Sequence, residues 1–414
     1  LLLCAAAGET FANARFLTEG LDKAHRYESY EKYQEYKELT QGLAEEAALR
    51  SEGKFYRMGA DFQRNFNEAI GLGYAGLSHY SSSYNKNINS FLYKMGFAQI
   101  YFWSSYAGST TVTDSLFSVK YVMSDPDISR LDDRGKIISW CRVPYTHYIA
   151  AAKKDTAVLY ENPYVLPPCF AVSAHLKDFN WQENGVESQN YLLNCMLEED
   201  TSYFIKMSEN TGGAVSLAQE GNYIEYTIIA PETGPLYAYF PKNENRVSKM
   251  CVNDQYDIHL YTGETDCVQF LGNYKAGEQI RVKIFGNSLV TNGNAFYQLN
   301  LTRFAEAVDD LRKESLPLSK WSSGYLKGTA EIEKAGVMFT SLVYDPSWKV
   351  LIDGAAAETW AFQDGLLCFD IAAGTHEIEI EYQVPGFVAG MTITVVTITA
   401  AVGFFAIRFF RRKR

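Results

Sequence analysis

The sequence predicts an α+β protein: a membrane-proximal α/β domain, two β-sandwich (jelly-roll-like) domains and a C-terminal transmembrane helix. Three observations carry this. An uncharged run from Phe387 to Ile407 ends in a basic tail. Helix-like and strand-like stretches alternate between residues 9 and 165. Beyond Pro167-Pro168, short β-branched and aromatic runs succeed one another between Gly, Pro and Asn turns.

The apolar run holds 21 residues. At about 1.5 Å per residue, a helix of that length crosses a hydrocarbon core of roughly 30 Å. Its threonines are compatible with lipid, because a helical hydroxyl bonds back to a carbonyl one turn earlier. Residues 408–414 carry five cations and no acid. That bias predicts a cytoplasmic C-terminus, with residues 9–384 outside the cytoplasm. At the other end, residues 1–8 are apolar but lack the basic start and the longer core of a signal peptide. They read as the end of a preceding transmembrane helix, and the chain as the C-terminal part of a larger membrane protein.

Composition narrows the function. Five of the 38 basic residues sit in the tail, leaving an outer region dominated by 49 acids, which argues against nucleic acid as a partner. The seven cysteines are irregularly spaced and include no CxxC pair, and the six histidines are scattered. Neither a metal site nor a disulfide framework is indicated. Cys251 and Cys267 remain open to pairing across a hairpin. The sequence assigns no cofactor.

Within residues 9–165, Lys23 to Arg50 favours a helix with an apolar arc at Tyr27, Tyr30, Tyr33, Tyr36, Leu39, Leu43 and Ala47. Lys54 to Met58 alternates as a strand does. Ile88 to Gly96 has helical spacing closed by glycine, and the stretch ending at Met123 finishes as a strand. Residues 166–303 form the first expected sandwich, with strands at 222–229, 236–240 and 279–285. A helical linker at 304–320 is closed by Pro317. The second β-rich region, 321–384, contains strands at 337–344, 348–354 and 375–382. In the last, His376, Ile378, Ile380 and Tyr382 share one face and acids take the other. Trp348 reads as a core residue of this sandwich. A weak repeat links the two: Val252-Asn253-Asp254 precedes Ala276-Gly277 and a strand, as Ile352-Asp353-Gly354 precedes Ala373-Gly374 and a strand.

No complete catalytic constellation is present: there is no GxSxG, P-loop, HExxH or GxGxxG opening a helix. The densest polar stretch follows Gly71, Gly73 and Gly76 and runs from Ser78 to Asn85. His79, Ser81, Ser82, Ser83, Tyr84 and Asn85 offer hydroxyls, an imidazole and an amide suited to a sugar or phosphate. The same residues suit a loop that satisfies its own backbone. Arg57 and Arg64 match a lipid-linked phosphate, or equally pair with Asp61 or Glu68.

Several stretches in order resemble the bacterial YfhO family of multi-spanning membrane proteins: Gly76 to Asn85, Leu116 to Val122, Tyr160 to Pro167, Tyr344 to Gly354 and Ala373 to Ile380. The resemblance implies a glycosyltransferase of the C superfamily, taking sugar from a polyprenyl-phosphate donor outside the cytoplasm. It also implies an envelope glycopolymer acceptor such as lipoteichoic acid. In that superfamily the catalytic acid lies in an early extracytoplasmic loop, so no residue of this sequence inherits the role. The competing expectation is a membrane-anchored, non-enzymatic protein that binds glycans.

Overall fold

A computed structural model of the protein describes all residues except 1, 26–28, 101, 132–137, 142, 208–214, 221–222, 242–246, 260–266, 287–292 and 413–414. The fold is α+β, with several separate sheets and an apolar C-terminal helix.

Helix α1 (Leu2–His25) runs unbroken past Gly8 into the polar sequence, leaving Phe11, Phe16 and Leu17 exposed. Helix α2 (Tyr30–Ser51) begins at Ser29, whose hydroxyl accepts from Lys32 N and so satisfies one of the free amides of the first turn. Its Tyr arc is only half sunk. Tyr36, Leu39, Leu43 and Ala47 are buried, while Tyr30 and Tyr33 face solvent, and Tyr27 lies outside the described residues.

The buried face of α2 packs on a sheet of four strands in the order β1-β6-β9-β8. These are β1 (Arg57–Ala60), β6 (Val119–Ser124), β8 (Ile149–Lys154) and β9 (Ala157–Glu161). Only β1 and β6 run parallel. Between β1 and β6 the chain forms β2 (Phe62–Gln63), α3 (Glu68–Leu72), β3 (His79–Tyr80), α4 (Lys86–Lys94), β4 (Gln99–Ile100), β5 (Trp103–Ser104) and α5 (Thr111–Leu116). Strand β7 (Ile138–Ser139) returns to pair with β2. This excursion carries the candidate site.

Two sandwiches follow. The first combines β12 (Val215–Glu220), β13 (Tyr223–Ile229), β18 (Gln279–Gly286), β15 (Val247–Val252) and β16 (Tyr256–His259), hydrogen-bonded in that order. Its facing sheet is β11 (Phe204–Lys206), β19 (Ala295–Leu299), β14 (Gly234–Tyr239) and β17 (Val268–Tyr274). The second combines β20 (Leu318–Ser322), β21 (Tyr325–Ile332), β27 (Gly374–Tyr382), β23 (Trp348–Ile352) and β24 (Ala355–Ala357). It faces β10 (Cys169–Val172), β22 (Gly336–Val343), β26 (Leu366–Ile371) and β25 (Thr359–Phe362).

The two five-stranded sheets have the same connectivity. The weak sequence repeat is the visible trace of this: Asn253 and Asp353 sit in equivalent hairpin turns with positive φ. Each exchanges backbone bonds with the neighbouring central strand. Asn253 N donates to Arg281 O and Asn253 Oδ1 accepts from Arg281 N, as Asp353 N donates to Glu377 O and Asp353 Oδ1 accepts from Glu377 N.

Three features differ from the sequence reading. Strand β10, in the stretch expected to belong to the first sandwich, pairs with β22 of the second, Cys169 opposite Thr340. Residues 185–197 form a helix, α6 (Gly185–Leu197), capped by Asn184, inside a stretch read as all β. Cys251 lies in β15 and Cys267 just before β17, in different sheets rather than across one hairpin. Helix α7 (Leu301–Lys313) buries Phe304, Val308 and Leu311 between the sandwiches, and α8 (Phe387–Arg412) ends the chain.

The sheet containing β10 and β22 is buried on both faces. Val337 and Phe339 join the core shared with α4, α5 and the first sandwich, while Met338 joins the interior of the second. A strand covered on both sides reads as a continuous apolar run, as Val337-Met-Phe and Leu366-Leu-Cys-Phe369 do. Trp348 departs from its expected burial: it is half-buried at the sheet end, its ring 5.1 Å from that of Tyr382.

Candidate functional site

The Ser78–Asn85 segment is tied to its surroundings through Ser78, His79, Ser81 and Asn85. Ser78 Oγ accepts from Tyr106 N. His79 and Tyr80 form β3, opposite Ser104 and Trp103 of β5. Ser104 Oγ donates to Leu77 O at 3.0 Å, so its 2.9 Å bond with His79 is donated by the imidazole Nδ1. Burial lowers the His79 pKa and favours that neutral ring. Ser81 Oγ accepts from Ser83 N, and Asn85 Oδ1 accepts from Asn87 N and Ile88 N as the cap of α4. Ser82 and Ser83 are exposed, and Tyr84 packs edge-on against Phe102 at 5.5 Å.

Arg57 stands apart from this segment. Its guanidinium donates to Phe117 O, Ser341 Oγ and Ser341 O at 2.7–2.8 Å, binding β1 to β22. Desolvation brings its pKa down to about 10. Arg64 lies over the Tyr36 ring at 4.4 Å and donates to Leu131 O. Neither expected phosphate clamp forms around the serine segment.

What adjoins that segment is a pocket of about 140 Å³ between α2 and α3, lined by Tyr33, Lys37, Thr40, Asn65, Glu68 and Gly71 among others. Asn67, also in its wall, joins it to β3: Asn67 Oδ1 accepts from Tyr80 N and Asn67 Nδ2 donates to Tyr80 O. Glu68 is the notable group. Tyr36 Oη donates to its Oε2 at 2.7 Å and Arg64 N to its Oε1 at 3.1 Å. Burial nevertheless raises its pKa to about 7, against the pull of those bonds and of the Arg64 charge. The sequence reading met Glu68 only as a partner for arginine. The cluster Asn65, Asn67, Glu68 and Gly71 was the signal available for the pocket.

A second buried carboxylate lies deeper. Asp114, on α5, accepts from Tyr106 and Tyr148 at 2.8 Å, and burial raises its pKa to about 7. Among the described residues no three His, Cys, Asp or Glu side chains are gathered as metal ligands.

A buried carboxyl, amides and hydroxyls beside an exposed polar turn form a surface suited to hydroxyl-rich ligands. A family model described as bacterial membrane protein YfhO matches residues 1–394. The chain belongs to the YfhO family. As a YfhO protein it is a membrane protein, and α8 contains one stretch, Phe387–Phe409, long and apolar enough to cross a bilayer. No curated protein matches this YfhO chain. Among solved structures, an anti-sigma factor domain-containing protein is similar over 41% of the chain and 81% of its own, with 11% identity and a TM-score of 0.13.

Proposed function

We propose that this YfhO chain forms the extracytoplasmic part of a membrane glycosyltransferase that draws on a polyprenyl-phosphate-linked sugar and modifies an envelope glycopolymer such as lipoteichoic acid. The family match over residues 1–394 carries the reading. Residues 9–384 lie outside the cytoplasm and the basic tail inside, in keeping with the charge bias of the span. The pocket at Glu68 seats one sugar ring: its carboxyl and the Asn65 amide meet hydroxyls, and Tyr33 offers a ring face. Ser82, Ser83 and Tyr84 contact the ligand at the rim, while His79, Ser81 and Asn85 hold the backbone that presents them and Arg57 ties β1 to β22. The acid that activates the acceptor belongs to another part of the transferase.

The test is sugar content of the envelope polymer in cells whose only copy carries a variant. Gly71 lines the pocket and a Cβ there meets nothing within 4 Å, so Gly71→Leu is accommodated and places bulk at the pocket wall. It and Glu68→Gln should each lower transfer tenfold or more, about 1.4 kcal/mol, with little change in melting. Unchanged sugar content after deletion of the gene would refute the transferase. Normal transfer by both variants would refute only the pocket.

A further inference from the structure

Strand β27 ends at Tyr382 and α8 begins at Phe387, so four residues separate sandwich from span. Fully extended they reach at most about 14 Å, and they are folded instead: Gln383 N donates to Ser347 O and Phe387 N to Val384 O. The 23 residues of Phe387–Phe409 span about 35 Å as a helix, slightly more than the roughly 30 Å hydrocarbon core. The first residues of the span therefore already stand in the polar layer, which is about 5–8 Å deep on each side. The end of the sheet has no room to stand clear of it.

That end is aromatic. Across four adjacent strands, β20, β21, β27 and β23, it carries Trp321, Tyr325, Tyr382 and Trp348. Tyr325 is opposite Glu381, Trp348 opposite Tyr382, and Trp321 opposite Leu326, itself paired with Ile380. All four residues thus fall within the last three rungs of the sheet, about 7 Å along the strands, with Trp321 Nε1 donating to Gly53 O and its ring 5.5 Å from that of Phe55. The turn at Gly324 closes on the same place, accepting from Tyr382 N. Trp321 is 41% exposed. Exposed Lys349 lies beside Glu381, and the Lys320 ammonium is 5.3 Å from the centre of the Tyr325 ring. Rings with one apolar and one polar end, next to lysines, suit the headgroup region.

We propose that this end of the second sandwich is a lipid-contacting foot, its Trp321, Tyr325, Trp348 and Tyr382 seated in the headgroup layer. The proposal rests on α8 crossing the membrane. The experiment reconstitutes the full chain in phosphatidylglycerol–phosphatidylcholine vesicles containing a lipid brominated near its headgroup, and reads tryptophan quenching. Flotation with the vesicles is measured on the same samples. Quenching should fall by half or more when Trp321→Phe and Trp348→Phe are combined, and stay unchanged for Trp103→Phe in β5. Chains that float but quench identically with and without Trp321 and Trp348 would overturn the foot and leave the span intact. Chains that fail to float would overturn the span, and the foot with it.

Discussion

Tyr106 donates its hydroxyl to the Asp114 carboxylate at 2.8 Å across the face of Gly59, where a side chain would collide with the ring. The pair joins the loop after β5, helix α5 and strand β1. Tyr148 donates to the same acid, and Tyr145 and Tyr237 are among the titratable groups near it. The carboxyl is therefore out of water, held by two phenols and the Ser109 hydroxyl, and no cation bonds it among the described residues.

Asp114→Asn should remove a pH dependence. The Asp114 pKa rises from 3.8 to about 7 on burial. Between those values the folded chain holds a proton that the unfolded chain has released, so this group's contribution to stability falls as pH rises, at up to about 1.4 kcal/mol per unit. Buried His147, its pKa lowered to about 3 from 6.5, works in the opposite direction. Melting of variant and wild type from pH 4 to 7.5 checks this. The variant should gain on the wild type steadily with pH, and a constant difference contradicts the buried acid.

Gly59→Ala should cost about 1–3 kcal/mol or more through overpacking. Its Cβ would fall 2.4 Å from Tyr106 Cζ. In a Tyr106→Ala background the same change should cost much less. A double-mutant cycle by denaturant melts measures the coupling, and equal costs in both backgrounds would refute the contact.

Asn85→Ala and Ser82→Ala separate scaffold from surface. Asn85 caps α4, so its loss should cost about 1 kcal/mol of stability. Ser82 is exposed, and its loss should leave melting within about 0.5 kcal/mol. Thermal melts of the two purified variants decide it, and equal stability would remove the cap from the argument.

Trp348→Ala should cost less than the roughly 3–5 kcal/mol of a fully buried tryptophan. The ring is half-buried, donates to Val343 O and touches Tyr382. Denaturant unfolding should give about 1–2 kcal/mol, below the range for a ring with no solvent face.

Much of the fold was legible because its signals are local. The span needs only an uncharged run, and α7 shows its period, although it starts at Leu301 rather than 304 because Asn300 caps it. The paired hairpins announced themselves through Asn253-Asp254 and Asp353-Gly354, whose positive φ favours those residue types. Helix α6 was not legible. It buries Ser188 and Gln189 beside Val186, Leu192 and Leu193, so its inward face carries no clean apolar stripe. The pairing of Cys169 with Thr340 depends on contacts far apart in the chain, which no local pattern records. In the candidate site the serine segment stood out by composition, while Glu68 did not: a carboxylate becomes unusual only once a helix and a tyrosine close over it.

The nesting of the two sandwiches governs the order in which the chain acquires its shape. Strand β10 is made early, but its partner β22 begins only at Gly336, after the entire first sandwich and α7. At synthesis rates of about 5–20 residues per second, β10 waits on the order of ten seconds or more for a partner. During that interval the apolar Cys169-Phe-Ala-Val172 edge is unsatisfied, while the first sandwich already has its nine strands at hand. The inserted unit is thus the natural first folder, and the outer one closes last around it, as the strands from β22 to β27 are made.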